Sequence, residues 1–340
     1  MKAIGLNRYL PIEHPESLFD FEAPDPVQGP RDLLVEVRAI SVNPVDFKLR
    51  APKSQVEDKP RILGWDAAGV VRAVGADVTL FKPGDEVYYA GSIKRAGTNA
   101  ELHAVDERIV ALKPKSLGFA AAAALPLTAL TAWESLFDRL EVSRSGKSAG
   151  QSVLLIGGVG GVGAMAIQMA KRIAGLRVIA TASRPESVAR AKELGADEVV
   201  DHSRSLVEER KRLGLAEVDY IICFNAIEQH FAALVDWIRP EGKICGVVGT
   251  SAEFPLGSLM SKSATFVWEL MFTRSMFETP TMIEQHRALT EVRSLVDRGV
   301  LKTTLAEHYG QINAENLRRA HAALEAGHVL GKIVLEGFDR

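Results

Sequence analysis

The sequence predicts an α/β protein in which a doubly wound parallel sheet is joined to a separate β-rich domain. Strands and helices alternate from about residue 150 to about residue 250, which is typical of a parallel sheet covered by helices. Short apolar runs separated by proline and glycine turns fill roughly the first 115 residues, which is typical of antiparallel strands. A glycine-rich turn joins the first strand of the alternating part to its first helix.

The length of 340 residues exceeds what a single hydrophobic core usually supports, so two domains are expected. We place the β-rich domain at residues 1–126, completed by residues 283–340, and the parallel-sheet domain at residues 127–282. The period of the apolar residues changes from that of strands to that of helices near residue 116.

Composition excludes several classes of partner and site. A formal net charge of −2 provides no basic footprint for nucleic acid or an anionic membrane. The two cysteines, Cys223 and Cys245, lie in apolar runs, which indicates buried thiols in a reducing compartment. The N-terminus lacks the apolar core of a secretory signal, and the apolar run 119–133 contains Pro126 and two threonines. We therefore expect a cytoplasmic protein without a membrane span.

In the β-rich part, the clearest strand candidates are residues 33–40, 68–75 and 99–105. In the parallel-sheet part, most strands are expected to alternate with helices, and the part ends with an edge strand and a charged helix. These elements are a strand at 153–156, a helix from 162, a strand at 177–182, a helix at 185–194, a strand at 198–201, a strand at 218–224, a helix at 227–238, a turn at 240–242, a strand at 243–249, an edge strand at 265–269 and a helix at 281–300. A helix at 315–327 and a strand at 331–335, which returns to the first β core, close the chain.

The glycine-rich turn carries the most specific motif. Gly158, Gly160 and Gly163 fit G-x-G-x-x-G, in which glycines allow a tight bend and close approach of the backbone to a pyrophosphate. The amides at the start of the following helix would hold the phosphates. The alternative is a glycine-rich turn without a ligand, but the flanking strand, helix and second strand favour a dinucleotide. The predicted phosphate-binding residues are Gly158, Val159, Gly160, Gly161, Val162 and Gly163.

The end of the second strand indicates which dinucleotide is bound. An NAD site usually has an acidic residue there, whereas this sequence has Ala182, followed by Ser183 and Arg184. A hydroxyl and a guanidinium suit the 2′-phosphate of NADPH. In the alternative interpretation, Ser183 caps the next helix with Glu186 completing a capping box, and Arg184 is solvated. Arg177 is a third, weaker candidate for the phosphate.

Several phrases resemble the G-H-E-x-x-G-x-V…G…G-D-x-V pattern of the medium-chain dehydrogenase/reductase superfamily: G-W-D-A-A-G-V-V at 64–71, V-G at 74–75 and P-G-D-E-V at 83–87. The resemblance covers nearly the whole chain and is closest to the zinc-free quinone oxidoreductase, or zeta-crystallin-like, branch, near proteins labelled zinc-type alcohol dehydrogenase-like. It implies a Rossmann domain inserted between two segments of a GroES-like β-rich catalytic domain. It also implies a homodimer, with the strand at 265–269 as a candidate contact.

The chain departs from this family at the catalytic zinc. Where the zinc enzymes have a cysteine, a histidine and a further cysteine or histidine, this chain has Asn43, Trp65 and Leu127. None of these is a normal zinc ligand, and Asp66 alone cannot hold the ion. The four cysteines of a structural zinc lobe are also absent from the sequence. We therefore expect no bound zinc.

Without a Lewis acid, the expected reaction is hydride transfer from NADPH to a quinone or an α,β-unsaturated carbonyl. The resemblance implies that Asn43 donates a hydrogen bond to the acceptor oxygen. Thr128 is a further candidate, for a hydrogen bond near the nicotinamide or the ribose. Alternatively, Asn43 shapes the turn before Pro44 and Thr128 is structural. Rival functions are a zinc-type alcohol dehydrogenase with substituted ligands and a non-enzymatic NADPH-binding sensor or structural protein.

The remaining candidates are drawn from the family resemblance and from residue type. Further cofactor-binding candidates are Phe224, Val248, Gly249 and Lys332. Candidates for the substrate pocket are aromatic or soft side chains, which in most cases belong simply to a core. These are Phe47, where relatives commonly have tyrosine, together with Trp65, Tyr88, Tyr89, Trp268, Met271 and Phe272. His202 follows the third strand and is a candidate for contact with the adenosine, or a plain surface histidine.

Overall fold

The computed structural model describes residues 1–327 and 329–338. The chain forms two compact units. The first unit comprises Met1–Leu127 and the chain from Phe272 onward, and the second unit comprises Thr128–Met271. The sequence prediction drew its second boundary after residue 282, whereas this division falls after Met271.

The strands are numbered in chain order. They are β1 Lys2–Tyr9, β2 Phe19–Glu22, β3 Asp32–Ser41, β4 Lys53–Ile62, β5 Asp66–Val74, β6 Glu86–Ala90, β7 Leu102–Asp106, β8 Val110–Leu112, β9 Ser152–Ile156, β10 Arg177–Thr181, β11 Glu198–Val200, β12 Val218–Cys223, β13 Ile238–Gly246, β14 Thr265–Trp268, β15 Leu305–His308 and β16 Lys332–Glu336.

The α-helices are numbered in the same way, and a π-helical segment, Glu134–Arg139, directly follows the third. The helices are α1 Pro44–Arg50, α2 Phe119–Ala123, α3 Pro126–Trp133, α4 Gly161–Arg172, α5 Pro185–Leu194, α6 Leu206–Arg212, α7 Ile227–Trp237, α8 Thr273–Met276, α9 Ile283–Asp297 and α10 Ala314–Glu325.

The first unit is built on two sheets. A three-stranded sheet has the order β2-β1-β4, and a seven-stranded sheet has the order β15-β16-β3-β5-β6-β8 with β7 also paired to β3. The last strand, β16, runs antiparallel to β3, with Val334 opposite Ser41. The closing strand therefore returns to the β core formed by the start of the chain, as the sequence predicted.

The second unit contains one sheet of six parallel strands in the order β11-β10-β9-β12-β13-β14. Numbered within the sheet, this is the Rossmann order 3-2-1-4-5-6. The order reverses between β9 and β12, and in open sheets of this kind ligands bind beyond the carboxyl ends of the strands at such a point. Val153, Leu154, Leu155 and Ile156 of β9 are fully buried, as expected of a central strand. The predicted fold class is confirmed.

Two local features of the structure differ from what the sequence predicted. The predicted turn at 240–242 lies within β13, where Glu241 adopts a φ of 61° and the pairing with β12 shifts register. Strand β4 was not predicted, because most of its side chains are exposed and no apolar alternation marks it.

The apolar run at 119–133 belongs to a longer helical stretch, Phe119–Arg139. Within the described residues, this one stretch is long and apolar enough to cross a membrane. In its most apolar window, 83% of the residues are buried inside the protein. This is the environment of a core helix, which accounts for the apolar character without a membrane.

Candidate functional site

The glycine turn connects β9 to α4 in the second unit. Gly157 follows the strand with a φ of 87°, a conformation that glycine adopts without strain. The helix then begins at Gly161 with Gly160 as its N-cap, and a glycine has no side chain with which to cap it. The first backbone amides of a twelve-residue helix are therefore left for an anion.

The three motif glycines have different surroundings. A Cβ atom added to Gly163 would lie 2.4 Å from the carbonyl oxygen of Gly157, and one added to Gly158 would lie 2.9 Å from the Cβ of Ala180. A Cβ added to Gly160 would meet nothing closer than that same carbonyl oxygen, at 3.9 Å. Gly158 and Gly163 thus serve close packing, whereas the open space at Gly160 suits approach of a pyrophosphate.

Residues after the neighbouring strands lie at the same edge of the sheet as the turn. Phe224 follows β12, and its N–H donates to the carbonyl oxygen of Ile156 at 3.1 Å. Val248 and Gly249 follow β13. The N–H of Gly157 donates to Oγ1 of Thr181 at 3.0 Å, which ties the turn to the end of β10. The predicted cofactor candidates Phe224, Val248 and Gly249 therefore lie at the carboxyl ends of their strands.

Ser183 and Arg184 follow the end of β10. The N-cap of α5 is Arg184, and it has no side-chain capping bond, so the alternative in which Ser183 caps the helix is wrong. Arg184 pairs with Glu186 at 3.3 Å. The exposed Ser183 hydroxyl lies 3.5 Å from Nε2 of His202, which brings His202 to the same corner. A hydroxyl, a guanidinium and an imidazole therefore cluster at this strand end.

Arg177 does not belong to this cluster. It begins β10, at the amino end of the strand, and its guanidinium pairs with Glu198 at 2.6 Å. Because ligands of such sheets bind at the carboxyl ends, this position argues against Arg177 as a phosphate contact.

The first unit contains a buried polar cluster made of Asn43, Asp46, Asp66 and Lys332. The Nζ of Lys332 lies 3.0 Å from Oδ2 of Asp66 and 2.7 Å from the carbonyl oxygen of Val42, and it also donates to Oδ1 of Asn43. The side chains of Asp66 and Lys332 are 0% and 3% exposed. Lys332 was predicted to bind the cofactor, whereas these contacts show that its ammonium group binds Asp66, Asn43 and the carbonyl oxygen of Val42.

Burial changes the acid–base behaviour of this cluster. Loss of water raises the pKa of Asp46 from 3.8 to about 7, although the backbone N–H of Asn43, 2.5 Å from its Oδ2, and the charge of Lys332 oppose the change. Burial also lowers the pKa of Lys332, an effect that Asp66 opposes. The cluster therefore contains a carboxyl group that holds a proton up to near-neutral pH.

The side chain of Asn43 is fully engaged within the cluster. Its Nδ2 donates to Oδ2 of Asp66 at 2.7 Å and to the carbonyl oxygen of Ser41 at 3.4 Å, and its Oδ1 accepts from Lys332. The donation to Asp66 is short, whereas the contact with Ser41 is long for a hydrogen bond. These contacts compete with the predicted donation from Asn43 to an acceptor oxygen, which stays a prediction.

The residues at the family's zinc position do not fit zinc. Asp66 accepts the N–H of Leu127 on Oδ1 at 2.7 Å, and its Oδ2 accepts from Asn43 and Lys332. Trp65 and Leu127 offer no side-chain lone pair to a metal. Among the described residues, no group of three or more His, Cys, Asp or Glu side chains could hold a metal ion.

The substrate-pocket candidates fall into different environments. Trp65 and Phe272 are buried and meet edge-to-face, with ring centroids 6.2 Å apart. The hydroxyl of Tyr89 lies 3.1 Å from Nδ1 of His103, and the two rings stack, so Tyr89 belongs to the core. Burial lowers the pKa of His103 to about 4.

The other candidates for the substrate pocket differ in burial. Phe47 is half-buried on α1, and Thr128 and Met271, both in the second unit, are 2% exposed. Tyr88 is buried and donates to the carbonyl oxygen of Leu289 at 2.6 Å, whereas Trp268 is 45% exposed on β14.

Sequence reasoning missed the pairing of Lys332 with Asp66, the raised pKa of Asp46 and the contact of Thr181 with the turn. For Lys332 and Asp46 there was a signal in the sequence, because both are charged residues close to apolar runs. A charged residue is rarely buried unless it is paired, so a partner could have been expected. The expectation of buried cysteines is confirmed: Cys223 and Cys245 are buried free thiols, and burial raises both pKa values to about 12.

Comparisons with known proteins cover both units. The chain matches the family described as "Alcohol dehydrogenase GroES-like domain" over residues 29–126 and the family described as "Zinc-binding dehydrogenase" over residues 161–285. It is 41% identical over 336 residues to a zinc-type alcohol dehydrogenase-like protein of Staphylococcus aureus, covering 98% of this chain and 99% of the relative. It is 38% identical over 225 residues to the chloroplastic NADPH-dependent alkenal/one oxidoreductase of Arabidopsis thaliana, covering 64% and 55%.

Solved structures of dehydrogenases and quinone oxidoreductases also match this chain over nearly its whole length. A Rhizobium etli protein, whose crystal structure is described as that of a zinc-dependent alcohol dehydrogenase, matches with a TM-score of 0.95 and 50% identity, covering 100% of this chain and 99% of that one. The Escherichia coli quinone oxidoreductase complexed with NADPH matches with a TM-score of 0.80 and 25% identity, covering 99% and 100%. The chain therefore belongs to the medium-chain dehydrogenase/reductase superfamily, close to the zinc-type alcohol dehydrogenase-like proteins, and is an oxidoreductase of that type.

Proposed function

We propose that this chain uses NADPH to reduce quinones or α,β-unsaturated carbonyls without zinc. The observation that carries the proposal is the occupation of Asp66 by Lys332, Asn43 and the N–H of Leu127. An alcohol dehydrogenase of this family needs a metal to polarise its substrate, and here the polar groups at that position already satisfy one another. A reaction that spreads its negative charge by conjugation is the better fit.

The nicotinamide, when bound, supplies a hydride, and the protein holds it by its phosphates and excludes competing reactions. The glycine turn and the uncapped start of α4 support a dinucleotide. Ser183, Arg184 and His202 at the end of β10 support a 2′-phosphate, because they offer donors and positive charge. The names of the Escherichia coli and Arabidopsis thaliana relatives, both tied to NADPH, point the same way.

We also propose a cytoplasmic homodimer that forms through β14. This strand ends the parallel sheet, so one of its edges has no partner strand among the described residues. Apolar side chains on and just after this strand are exposed: Trp268 is 45% exposed and Leu270 46%. Exposed edges and apolar side chains favour pairing with another copy. Light scattering is expected to give twice the chain mass, and Leu270→Lys is expected to give monomers; a monomeric parent protein would contradict this assembly.

The function is tested by mixing purified protein with NADPH and a panel of ortho-quinones, para-quinones and enones, and following loss of the nicotinamide absorbance. Turnover is expected, and it should persist in the presence of a zinc chelator and in protein shown by metal analysis to hold no zinc. Turnover of alcohols that chelators abolish would support a zinc-type alcohol dehydrogenase instead. Tight NADPH binding without turnover of any acceptor would support a sensor.

A further inference from the structure

We infer that His202, in its protonated form, is a specificity-determining residue for the 2′-phosphate of NADPH, so that the preference for NADPH over NADH increases as pH falls. The inference rests on the proposed function and deepens it. It adds a pH-dependent contact to the corner of the second unit where Ser183 and Arg184 are proposed to hold that phosphate.

The first argument is the position of His202 in the parallel sheet. Strand β11 pairs with β10, with Val200 opposite Thr181, and the N–H of Ala182 donates to the carbonyl oxygen of Val200 at 3.0 Å. The residues that follow the two strands therefore lie side by side, and Nε2 of His202 is 3.5 Å from Oγ of Ser183. In sheets of this kind, the ribose of the adenosine lies at the end of the second strand, which here is β10.

The second argument is that this corner is open to a ligand. Ser183 and His202 are exposed, and the side chain of Arg184 is 37% exposed. The contact between Ser183 and His202 is long for a hydrogen bond, so it holds neither group tightly. A phosphate that enters this corner can accept hydrogen bonds from a hydroxyl, an imidazole and a guanidinium.

The third argument is that the turn that carries His202 has a defined geometry. Oδ1 of Asp201 accepts the N–H of Ser203 at 2.9 Å and the hydroxyl of Ser203 at 2.7 Å, and Oδ2 of Asp201 pairs with Arg204 at 3.5 Å. The hydrogen bonds from Ser203 lower the pKa of Asp201, and the charges of Arg204 and His202 lower it further. His202 therefore lies on a turn whose backbone is held by an ionised carboxylate.

The fourth argument concerns the other charged groups that act on this corner. On α7, burial lowers the pKa of His230, the charge of His202 lowers it further, and Glu228 opposes the change. The half-buried His230 is therefore neutral near pH 7. At the start of α5, Arg184 pairs with Glu186. A guanidinium keeps its charge throughout, whereas an exposed imidazole changes its charge between about pH 5 and pH 8.

The phosphate of the cofactor also titrates, and its effect has the opposite sign. A phosphate monoester has a second pKa of about 6, so its negative charge decreases as pH falls and its contacts with cations weaken. This effect is common to the parent and to every variant. The contribution of His202 is therefore measured as the difference between proteins at each pH.

The principal test is the ratio of the dissociation constants for NADH and NADPH, measured by fluorescence titration at pH 6 and pH 8. His202→Gln keeps a hydrogen-bond donor and removes the charge. Its preference for NADPH is expected to lie about five- to tenfold below that of the parent at pH 6 and within about twofold of it at pH 8. His202→Lys carries a positive charge at both pH values, so its preference at pH 8 should exceed that of the parent about fivefold.

His230→Gln is the matched control, because it removes an imidazole on α7 that is neutral near pH 7. The change in its preference for NADPH between pH 6 and pH 8 is expected to stay within about twofold of the change in the parent. A control that abolished the pH dependence would show that His230, and not His202, is the titrating group.

A second measurement uses neither nicotinamide nor turnover. Adenosine 2′,5′-bisphosphate is titrated by calorimetry at pH 7 into the parent and into His202→Gln, in two buffers of different ionisation enthalpy, which gives the number of protons taken up on binding. The parent is expected to take up more protons than the variant, because the phosphate binds the protonated imidazole. Adenosine 5′-phosphate, which lacks the 2′-phosphate, should show no difference between the two proteins.

The outcomes separate this inference from the proposed function. If the parent prefers NADPH and His202→Gln has the same preference at pH 6, or if proton uptake is equal in the two proteins, the inference is overturned and the proposed function stands. If the expected pH dependence is found but no acceptor is reduced, the proposed function fails and the inference is supported. A parent protein without any preference for NADPH between pH 6 and pH 8 would overturn both.

Discussion

Lys332 and Asp66 form an ion pair in the interior of the first unit, with Nζ 3.0 Å from Oδ2 and both side chains almost completely buried. The pair joins β16, near the end of the chain, to the start of β5. Asn43 bridges the two charges, since its Nδ2 donates to Asp66 and its Oδ1 accepts from Lys332. An internal ammonium group thus neutralises the carboxylate that follows Trp65.

Removing one charge of this pair is expected to destabilise the protein strongly. Lys332→Met leaves the Asp66 carboxylate buried without its cation, which typically lowers the free energy of unfolding by about 3–5 kcal/mol. The double variant Lys332→Met with Asp66→Asn should recover part of that loss. The control is Lys171→Met, which removes an exposed pair with Asp197 and should cost at most about 1 kcal/mol. Urea unfolding gives the free energy of unfolding of the parent and of the three variants. An equal loss for the two lysine substitutions would contradict a stabilising role of the buried pair.

The raised pKa of Asp46 predicts a specific pH dependence of stability. Because the pKa of the folded protein is about 7 and the ordinary value is 3.8, this group favours folding at low pH and loses that contribution as pH rises through 7. Asp46→Asn removes the titration. The free energy of unfolding of the variant, relative to the parent, should therefore rise between pH 4 and pH 8, by at most about 4 kcal/mol. A difference that is constant across this range would show that Asp46 is ionised throughout.

Two glycines of the turn are expected to respond differently to alanine. Gly163→Ala places a methyl group against the carbonyl oxygen of Gly157, so the melting temperature should fall along with NADPH affinity. Gly160→Ala meets no protein atom closer than 3.9 Å, so it should leave the melting temperature nearly unchanged. Its methyl group would lie where a pyrophosphate approaches, and we expect NADPH affinity to weaken about tenfold or more. Calorimetry measures the melting temperatures, and fluorescence titration measures the affinities for NADPH. Normal NADPH binding by Gly160→Ala would argue against the turn as the phosphate site.

Arg184 is expected to set the preference for NADPH. Arg184→Ala should weaken NADPH binding about tenfold and leave NADH binding unchanged, because only NADPH carries the 2′-phosphate. Arg190→Ala, on the same helix and paired with Glu193, is the control and should change neither affinity. Titration of both cofactors with all three proteins provides the measurement. Equal weakening for NADPH and NADH would mean that Arg184 contacts another part of the dinucleotide.

Much of the fold could be predicted from the sequence, because the patterns that predict strands, turns and helices are local. The apolar run 153–156 ends at a glycine turn, and an apolar helical stripe follows it, so strand, turn and helix could be predicted without knowledge of their neighbours. The repetition of such units implied the parallel sheet. The replacement of zinc ligands at Asn43, Trp65 and Leu127 was also readable, given a family resemblance, since residue type alone decides whether a side chain can bind the metal.

The tertiary structure alone decided what those residues do. Lys332 lies 266 positions from Asp66 and 289 from Asn43, and pairing of β16 with β3 brings them together. Only the folded structure shows that the side-chain amide of Asn43 is already engaged by Asp66 and Lys332. Hydrogen bonds and burial depend on partners that are distant along the chain, so no local period or spacing encodes them.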